Sequence, residues 1–147
     1  MATSFDKIIN VAMITIRDYK LDKIYYAEQS TFETILSGYV IRGVPKFESC
    51  LKPLNYDLET REFEADLDIY EIDILASWTV IEWYEDQLQD VLEFKEPLRD
   101  IDFNKYSTGQ NLRPRQDYLS ELRRKVKLDT TNYLFMHLAD LPYWSHN

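Results

Sequence analysis

Carboxylates grouped on one predicted helix are the side chains in this sequence best suited to chemistry. Glu82, Glu85 and Asp86 lie on adjacent turns of that helix. A second group surrounds the start of the helix: Asp66, Asp68, Glu71 and Asp73. Helical di-metal sites combine inward carboxylates with histidine at helical spacing, and His137 and His146 belong to no such pattern. The pattern therefore favours a solvated or interfacial acidic face over a metal site.

The sequence contains none of the common catalytic motifs. It has no G-x-S-x-G, no Walker A lysine loop and no G-x-G-x-x-G, and its three glycines offer little for a phosphate-binding backbone loop. Cys50 is the single cysteine, which excludes an intramolecular disulfide and a cysteine metal cluster and favours a small buried hydrophobe. We therefore expect no enzymatic activity and no cofactor.

A basic run near the C-terminus is the other charged feature. It consists of Arg123, Arg124, Lys125 and Lys127, with Arg113 and Arg115 upstream. As a nucleic-acid patch it is weak, because it lacks interleaved aromatic residues and belongs to an acidic chain. The basic run is compatible with an ordinary solvated helix face. The charge distribution along the chain is explained best if the run contacts an acidic surface of a neighbouring subunit.

One long helix, predicted over residues 68–94, must position these groups. Asp68 and Glu71 provide carboxylates at its N-terminus, and nothing interrupts it before Pro97. Its apolar residues fall on two nearly opposite faces at about 100° per residue. One face has Ile72, Ala76, Thr79, Val80 and Trp83, and the other has Ile74, Trp78, Ile81, Leu88 and Leu92.

A helix that is apolar on two sides needs a partner on each side. It is either the central helix of a small bundle or half core and half subunit interface, and the pattern does not choose between them. A polar strip separates the two faces and carries Glu71, Glu82, Asp86 and Glu93.

The remaining elements are predicted from periodicity and breakers. A first helix spans Ser4 to Ile16, and a second opens at Ser30 with a capping box to Glu33 and ends after Pro45 near Phe47. Alternation about the polar ETRE predicts a small hairpin or extended loop between Cys50 and Asp68. A last helix runs from about Leu112 after the breakers at 107–111, and DTTN at 129–132 is expected to interrupt it before Tyr133 to Leu141.

The predicted fold class is mainly α, a small helical bundle around one long central helix with a short hairpin or loop. We expect one helical domain over residues 1–139 and a C-terminal aromatic tail over residues 140–147. Tyr143 and Trp144 in this tail either fold back on their own core or anchor on a neighbouring subunit.

Charge is divided into blocks along the chain. Residues 48–102 hold seventeen acidic and four basic side chains, whereas residues 103–127 hold two acidic and seven basic ones, within a total of −9. Such blocks suit neighbours that meet acidic face to basic face, although two solvated faces of one domain would look the same. No stretch has the length and apolar character of a membrane span or a signal peptide, so we expect a cytosolic protein or one assembled there.

Several segments resemble head-tail connector (adaptor) proteins of tailed bacteriophages. The central part reads DLDIYEIDILASWTVIEWYEDQL, followed by a linker with DFNKYS, then QNLRPRQDYLSELRRK and a late NYLF. The N-terminal FDKII, a following DY and a later VPKFESC are similar too. The final YWSHN has no counterpart in that family.

The resemblance implies a structural virion protein of the neck. Such adaptors form a ring beneath the portal, dodecameric by the resemblance, extend the DNA channel and offer a platform to the next neck or tail protein. DNA passes through without specific binding, no membrane is involved, and assembly occurs in the host cytoplasm.

The resemblance also suggests roles for individual residues. By the resemblance, subunit or portal contacts are expected from Ile74, Trp78, Ile81, Tyr143 and Trp144, and the charge blocks add Arg123 and Arg124 to this set. An acidic seam of Glu71, Glu82 and Glu93 is expected to face the channel, where it would avoid the phosphate neutralisation that makes DNA bind.

Three alternatives remain open at this point. A neck stopper or tail-completion protein would share the position but be richer in strands. A small acidic helical inhibitor or antitoxin would bind a basic partner through the acidic block. An enzyme that uses Glu82, Glu85 and Asp86 would require a metal ion in the purified protein.

Overall fold

The computed structural model describes residues 2–16, 25–95 and 108–137, with the side chains of 90–95 and 108–112 left out of the description. Its long helices are α1 (Phe5–Thr15), α2 (Gln29–Gly43), α3 (Ile69–Lys95) and α4 (Thr108–Met136). A 3-10 turn at Val44–Lys46 continues α2, and residues 25–27 are also helical. Three two-residue strands, β1 (Thr3–Ser4), β2 (Tyr56–Asp57) and β3 (Glu62–Phe63), complete the fold. The predicted mainly α class is confirmed.

Helix α3 is the centre of the bundle, because α1, α2 and α4 all pack on it. Both of its apolar faces are used inside the chain: Ile74 and Ile81 are buried, and so are Ala76 and Val80. Over the described residues, α3 is therefore the central helix of a bundle, which is the first of the two predicted alternatives.

The start of α3 is a reciprocal capping box. The Glu71 N–H donates to Asp68 Oδ1 at 2.8 Å, and the Asp68 N–H donates to Glu71 Oε1 at 2.9 Å. Two of the free N–H groups at the helix end are thereby satisfied, which explains why the helix begins at Ile69 as the sequence predicts.

Helices α1 and α2 pack against each other and against α3. Ser4 caps α1 by accepting from the Asp6 N–H, and the residues at helical spacing are buried: Phe5, Ile8, Ile9 and Ala12. The capping box predicted at Ser30 is wrong. Helix α2 begins at Gln29, so Ser30 lies within its first turn and is not the N-cap. The residue before the helix, Glu28, makes no side-chain capping bond.

The predicted hairpin is present and is joined by a strand that was not predicted. Strands β2 and β3 pair antiparallel, with Tyr56 opposite Phe63, and β1 pairs with the other edge of β3. Arg61 in the turn has φ of 55°, a left-handed conformation that costs energy for a non-glycine residue. Its guanidinium offsets this cost by bonding Asp6 at 2.9 Å, Glu33 at 3.2 Å and Ser37 at 2.9 Å. The hairpin is therefore fastened to α1 and α2.

Helix α4 runs antiparallel to α3, and it begins earlier than the sequence predicts and has no interruption; the predicted end at Leu141 lies outside the described residues. It begins at Thr108, within the predicted breaker cluster, and continues through the expected interruption at 129–132 to Met136. The hydroxyls of Thr130 and Thr131 donate to the carbonyls of Val126 and Lys127 within the helix, so these residues do not compete with its backbone bonds. The tertiary contact of Leu119, Val126 and Tyr133 with the core stabilises the continuous helix.

Candidate functional site

A buried polar cluster forms where the start of α3 meets the end of α4. Its centre is Glu71, of which only 1% is exposed. Oε1 of Glu71 accepts from the Asp68 N–H and from Lys52 Nζ at 2.8 Å. Oε2 accepts from the Tyr133 hydroxyl at 2.7 Å and faces Cys50 Sγ at 3.7 Å. Both carboxylate oxygens are thus supplied with donors, which is what a buried charge requires.

The hydrogen bonds keep Glu71 ionised in this environment. Burial by itself raises the pKa of Glu71, but the bonds from Asp68, Lys52 and Tyr133 outweigh it, and the net shift of the pKa is downward. Lys52 shows the reciprocal effect, since its bond to Glu71 raises its pKa above the ordinary value. The ion pair is therefore formed at neutral pH.

Tyr133 and Cys50 are held as proton donors in this cluster. Burial raises the pKa of Tyr133 well above its ordinary range, despite the Leu51 N–H that donates to its oxygen at 3.0 Å. Burial likewise raises the pKa of Cys50 to about 11. A thiol that stays protonated is a poor nucleophile.

His137 closes the cluster at the C-terminal end of α4. Its Nδ1 lies 2.9 Å from the Tyr133 carbonyl, and its Nε2 lies 3.7 Å from Asp68 Oδ2. The histidine thereby connects the last turn of α4 to the cap of α3. Sequence reasoning did not associate it with Asp68, because 69 positions separate them in the chain.

The acidic group on α3, Glu82, Glu85 and Asp86, is ion-paired within the chain by two arginines. Arg42 of α2 reaches Asp86 at 2.7 Å and Glu82 at 3.3 Å, and Arg123 of α4 bonds Glu85. The hydrogen bond from Arg42 lowers the pKa of Asp86. Burial raises the pKa of Glu82, and the neighbouring Glu85 adds to the increase. Among the described residues, no group of three or more metal-ligating side chains is arranged to hold an ion.

Several predicted interface and channel residues are buried in their own chain. Ile74 is 1% exposed and Ile81 0%, so neither offers a surface to another subunit. Glu71 and Glu82, at 1% and 4% exposure, do not form a channel-facing seam. These four assignments are wrong because α1, α2 and α4 cover both faces of α3.

The other predicted residues have different outcomes. Trp78 is half-buried against α2, where Gly43 allows close approach, and its indole Nε1 is buried without a hydrogen-bond partner in the described structure. Arg124 is exposed and pairs with Glu121 one turn away on α4. The Glu93 side chain and the tail residues Tyr143 and Trp144 lie outside the described residues.

Two oppositely charged surfaces remain exposed. The first, the acidic hairpin, is residues 48–66, with exposed carboxylates at Glu48, Asp57, Glu59, Glu62, Glu64 and Asp66. Its two basic residues, Lys52 and Arg61, are both engaged in ion pairs with other parts of the chain. The second, the basic patch, lies on one turn of α4 and consists of Arg124, Lys125, Lys127 and the exposed Leu128.

A groove of about 380 Å³ lies between α1, α3 and α4. Its lining includes the small apolar residues Ala12, Ala76 and Val80, with Asp73, Glu121 and Lys125 among its charged residues. Because charges of both signs line the groove, it does not favour a ligand of one charge.

Comparison with known proteins identifies no relative from which these surfaces could be interpreted. No protein-family model, no curated protein and no solved structure matches the chain. No helix within residues 2–16, 25–95 and 108–137 has both the length and the apolar character that crossing a bilayer requires.

Proposed function

We propose that this protein is a structural assembly subunit, a head-tail connector (adaptor) that forms a ring under the portal of a tailed bacteriophage. The observation that carries the proposal is the pair of exposed surfaces of opposite charge on a compactly packed helical domain. A subunit of a closed ring uses two different surfaces of one protein to contact its two neighbours. The acidic hairpin and the basic patch are two such surfaces.

The buried polar cluster supports a structural role. Four of its ionisable groups, Glu71, Tyr133, Cys50 and Lys52, join the first residues of the acidic hairpin to the start of α3 and the end of α4, and His137 with Asp68 connects the two helices directly. A catalytic site needs groups that can reach a substrate and exchange protons near neutral pH, whereas burial here holds the thiol and the phenol in their protonated forms. We therefore propose no enzymatic activity.

The resemblance supplies the rest of the proposal. The ring is dodecameric, binds the portal protein on one side and a downstream neck or tail protein on the other, and lets DNA pass without specific binding. Its place is the neck of the virion.

Negative-stain microscopy of the protein co-expressed with the portal protein of the same genome tests this proposal. We expect portal rings that carry an added tier, and the portal expressed alone is the control. A portal that stays bare in the presence of excess protein would overturn the connector role.

A small acidic inhibitor or antitoxin is the second candidate, favoured by the six exposed carboxylates of the acidic hairpin. This function predicts a compact monomer or dimer that captures one basic protein, with affinity that falls steeply as salt increases. Binding of a basic partner together with a bare portal would favour it. The stopper and tail-completion alternative receives little support from strands of two residues each.

A further inference from the structure

We infer that the acidic hairpin of one copy of this chain docks on the basic patch of a second copy. The inference rests on the proposed assembly function and specifies the contact between neighbouring subunits. The occupant of each surface is therefore another molecule of the same protein.

Charge complementarity is the first argument. Residues 48–66 contain six acidic and two basic side chains, and both basic ones are bound elsewhere in the chain. On the basic patch, Lys125 and Lys127 have no ion pair among the described residues, and Arg124 has only the exposed Glu121. Exposed charges without close partners gain most from an opposite surface, because complementary potentials select the partner and fix its register.

The two surfaces do not neutralise each other within one chain of the described structure. Arg61 fastens the hairpin to Asp6 of α1 and Glu33 of α2, whereas the basic patch lies on α4, which packs mainly on α3. No ion pair joins the hairpin carboxylates to the patch in the described structure. A second copy can supply the opposite charge that each surface lacks within its own chain.

Exposed apolar side chains within each charged surface are the second argument. Leu58 in the turn of the hairpin is 61% exposed, and Tyr56 on the edge strand β2 is 37% exposed. Leu128 in the basic patch is 52% exposed. Protein interfaces typically combine apolar contacts at the centre with a charged rim, and these surfaces have that composition.

Charge reversal tests the contact. One variant carries Glu59→Lys and Glu64→Lys in the hairpin, a second carries Arg124→Glu and Lys127→Glu in the patch, and a third carries all four substitutions. These side chains are exposed, and only Arg124 has an ion pair in the described structure, so folding is preserved and is checked by circular dichroism. A control carries Lys7→Glu and Lys46→Glu, the same charge change as the second variant at exposed positions elsewhere.

Self-association is measured by sedimentation velocity at low and high salt, and tier formation is measured on portal rings. We expect the association constant of each two-residue variant to fall at least tenfold. Association should recover in the four-residue variant and in an equimolar mixture of the two two-residue variants. The control should associate like the wild type. Recovery is the decisive result, since misfolding would not be corrected by further substitutions.

The outcomes separate the inference from the proposed function. A wild-type tier that both two-residue variants also form overturns the inference alone. A second outcome is a portal that stays bare while the wild type dimerises, with dimerisation lost in the two-residue variants and recovered in the four-residue variant. This outcome supports the inference and overturns the connector role. A wild type that forms neither a tier nor oligomers overturns both.

Discussion

At the scale of single residues, Glu71 shows how a buried carboxylate remains charged. It is almost completely buried, yet Asp68, Lys52 and Tyr133 donate to its oxygens and lower its pKa. Glu82 lies eleven positions along the same helix and is nearly as buried. It has the opposite pKa shift, since burial dominates and Arg42 approaches only to 3.3 Å. Hydrogen-bond supply, and not burial alone, decides the sign.

The Tyr133 hydroxyl is expected to contribute measurably to stability. Tyr133→Phe leaves the Leu51 N–H without its acceptor and removes a donor from Glu71, so the variant should lose about 1–3 kcal/mol of unfolding free energy in urea. Tyr118→Phe is the matched control on the same helix, at an exposed ring, and should change stability by less than about 0.5 kcal/mol. Equal effects of the two substitutions would show that the buried hydrogen bonds are unimportant.

Glu71→Gln and Glu82→Gln should have different consequences for stability at neutral pH. Because the folded pKa of Glu71 lies below its unfolded value, its contribution is complete above the ordinary pKa of about 4.3 and is lost as pH falls through the folded pKa. Because the folded pKa of Glu82 is raised, its charged form weakens the fold above that pKa, and this penalty disappears as pH falls through it to the ordinary value.

We therefore expect Glu71→Gln to destabilise the protein by about 3 kcal/mol at pH 7, with the difference from wild type shrinking below about pH 4. Glu82→Gln should be neutral or slightly stabilising at pH 7, since glutamine can still accept from Arg42. Urea unfolding curves at a series of pH values measure both effects. A Glu82→Gln loss as large as that of Glu71→Gln would contradict the assigned pKa directions.

At the scale of elements, the approach of α2 to α3 depends on one glycine. A Cβ added at Gly43 would lie 3.1 Å from the Cβ of Trp78, whereas a Cβ at Gly38 on the same helix would meet nothing within 4 Å. The two glycines share a helix but not an environment. Close helix packing, and not turn geometry, accounts for Gly43.

This difference predicts opposite responses to alanine. Gly38→Ala should stabilise the protein by about 0.5–1 kcal/mol, because alanine loses less backbone entropy in a helix. Gly43→Ala gains the same propensity but must displace Trp78, and overpacking of this kind costs about 1–3 kcal/mol. Thermal unfolding of the two variants should therefore give melting temperatures on opposite sides of the wild type. If the Gly43→Ala variant were more stable than the wild type, α2 would be able to move away from Trp78 without an energetic cost.

At the scale of the whole molecule, the net charge of −9 conceals two surfaces of opposite sign. Ion pairs within the chain engage the acids of α3: Arg42 pairs with both Glu82 and Asp86, and Arg123 pairs with Glu85. Among the described residues, the acidic hairpin and the basic patch remain exposed as separate charged surfaces. A local patch can act independently of the total charge when salt limits the range of the field to about 10 Å.

We expect the protein to be retained on a cation-exchange resin at neutral pH and about 0.1 M salt despite its sequence pI of about 4.7. Retention should disappear in the variant with Arg124→Glu and Lys127→Glu. The variant with Lys7→Glu and Lys46→Glu has the same net charge and should keep most of its retention. Loss of retention in both variants would show that total charge decides binding and that the basic patch has no separate effect.

The sequence by itself determined the elements whose signals are local. The capping pair Asp68 and Glu71 with uninterrupted helical periodicity fixed α3, and alternation about the polar turn fixed the hairpin. Local signals failed where tertiary contact outweighed them. Ser30 does not cap α2, and Thr130 and Thr131 lie within α4, whose inner face is held by the core.

Only the tertiary structure decided which charges remain available. Arg42 with Asp86, Arg123 with Glu85 and Tyr133 with Glu71 lie 38 to 62 positions apart in the chain, so no spacing rule pairs them. The polar strip of α3 looks exposed in sequence because its residues are charged, yet Glu71 and Glu82 are buried by helices from other parts of the chain. Periodicity specifies the faces of a helix, whereas the partners that cover each face are specified by packing between distant segments.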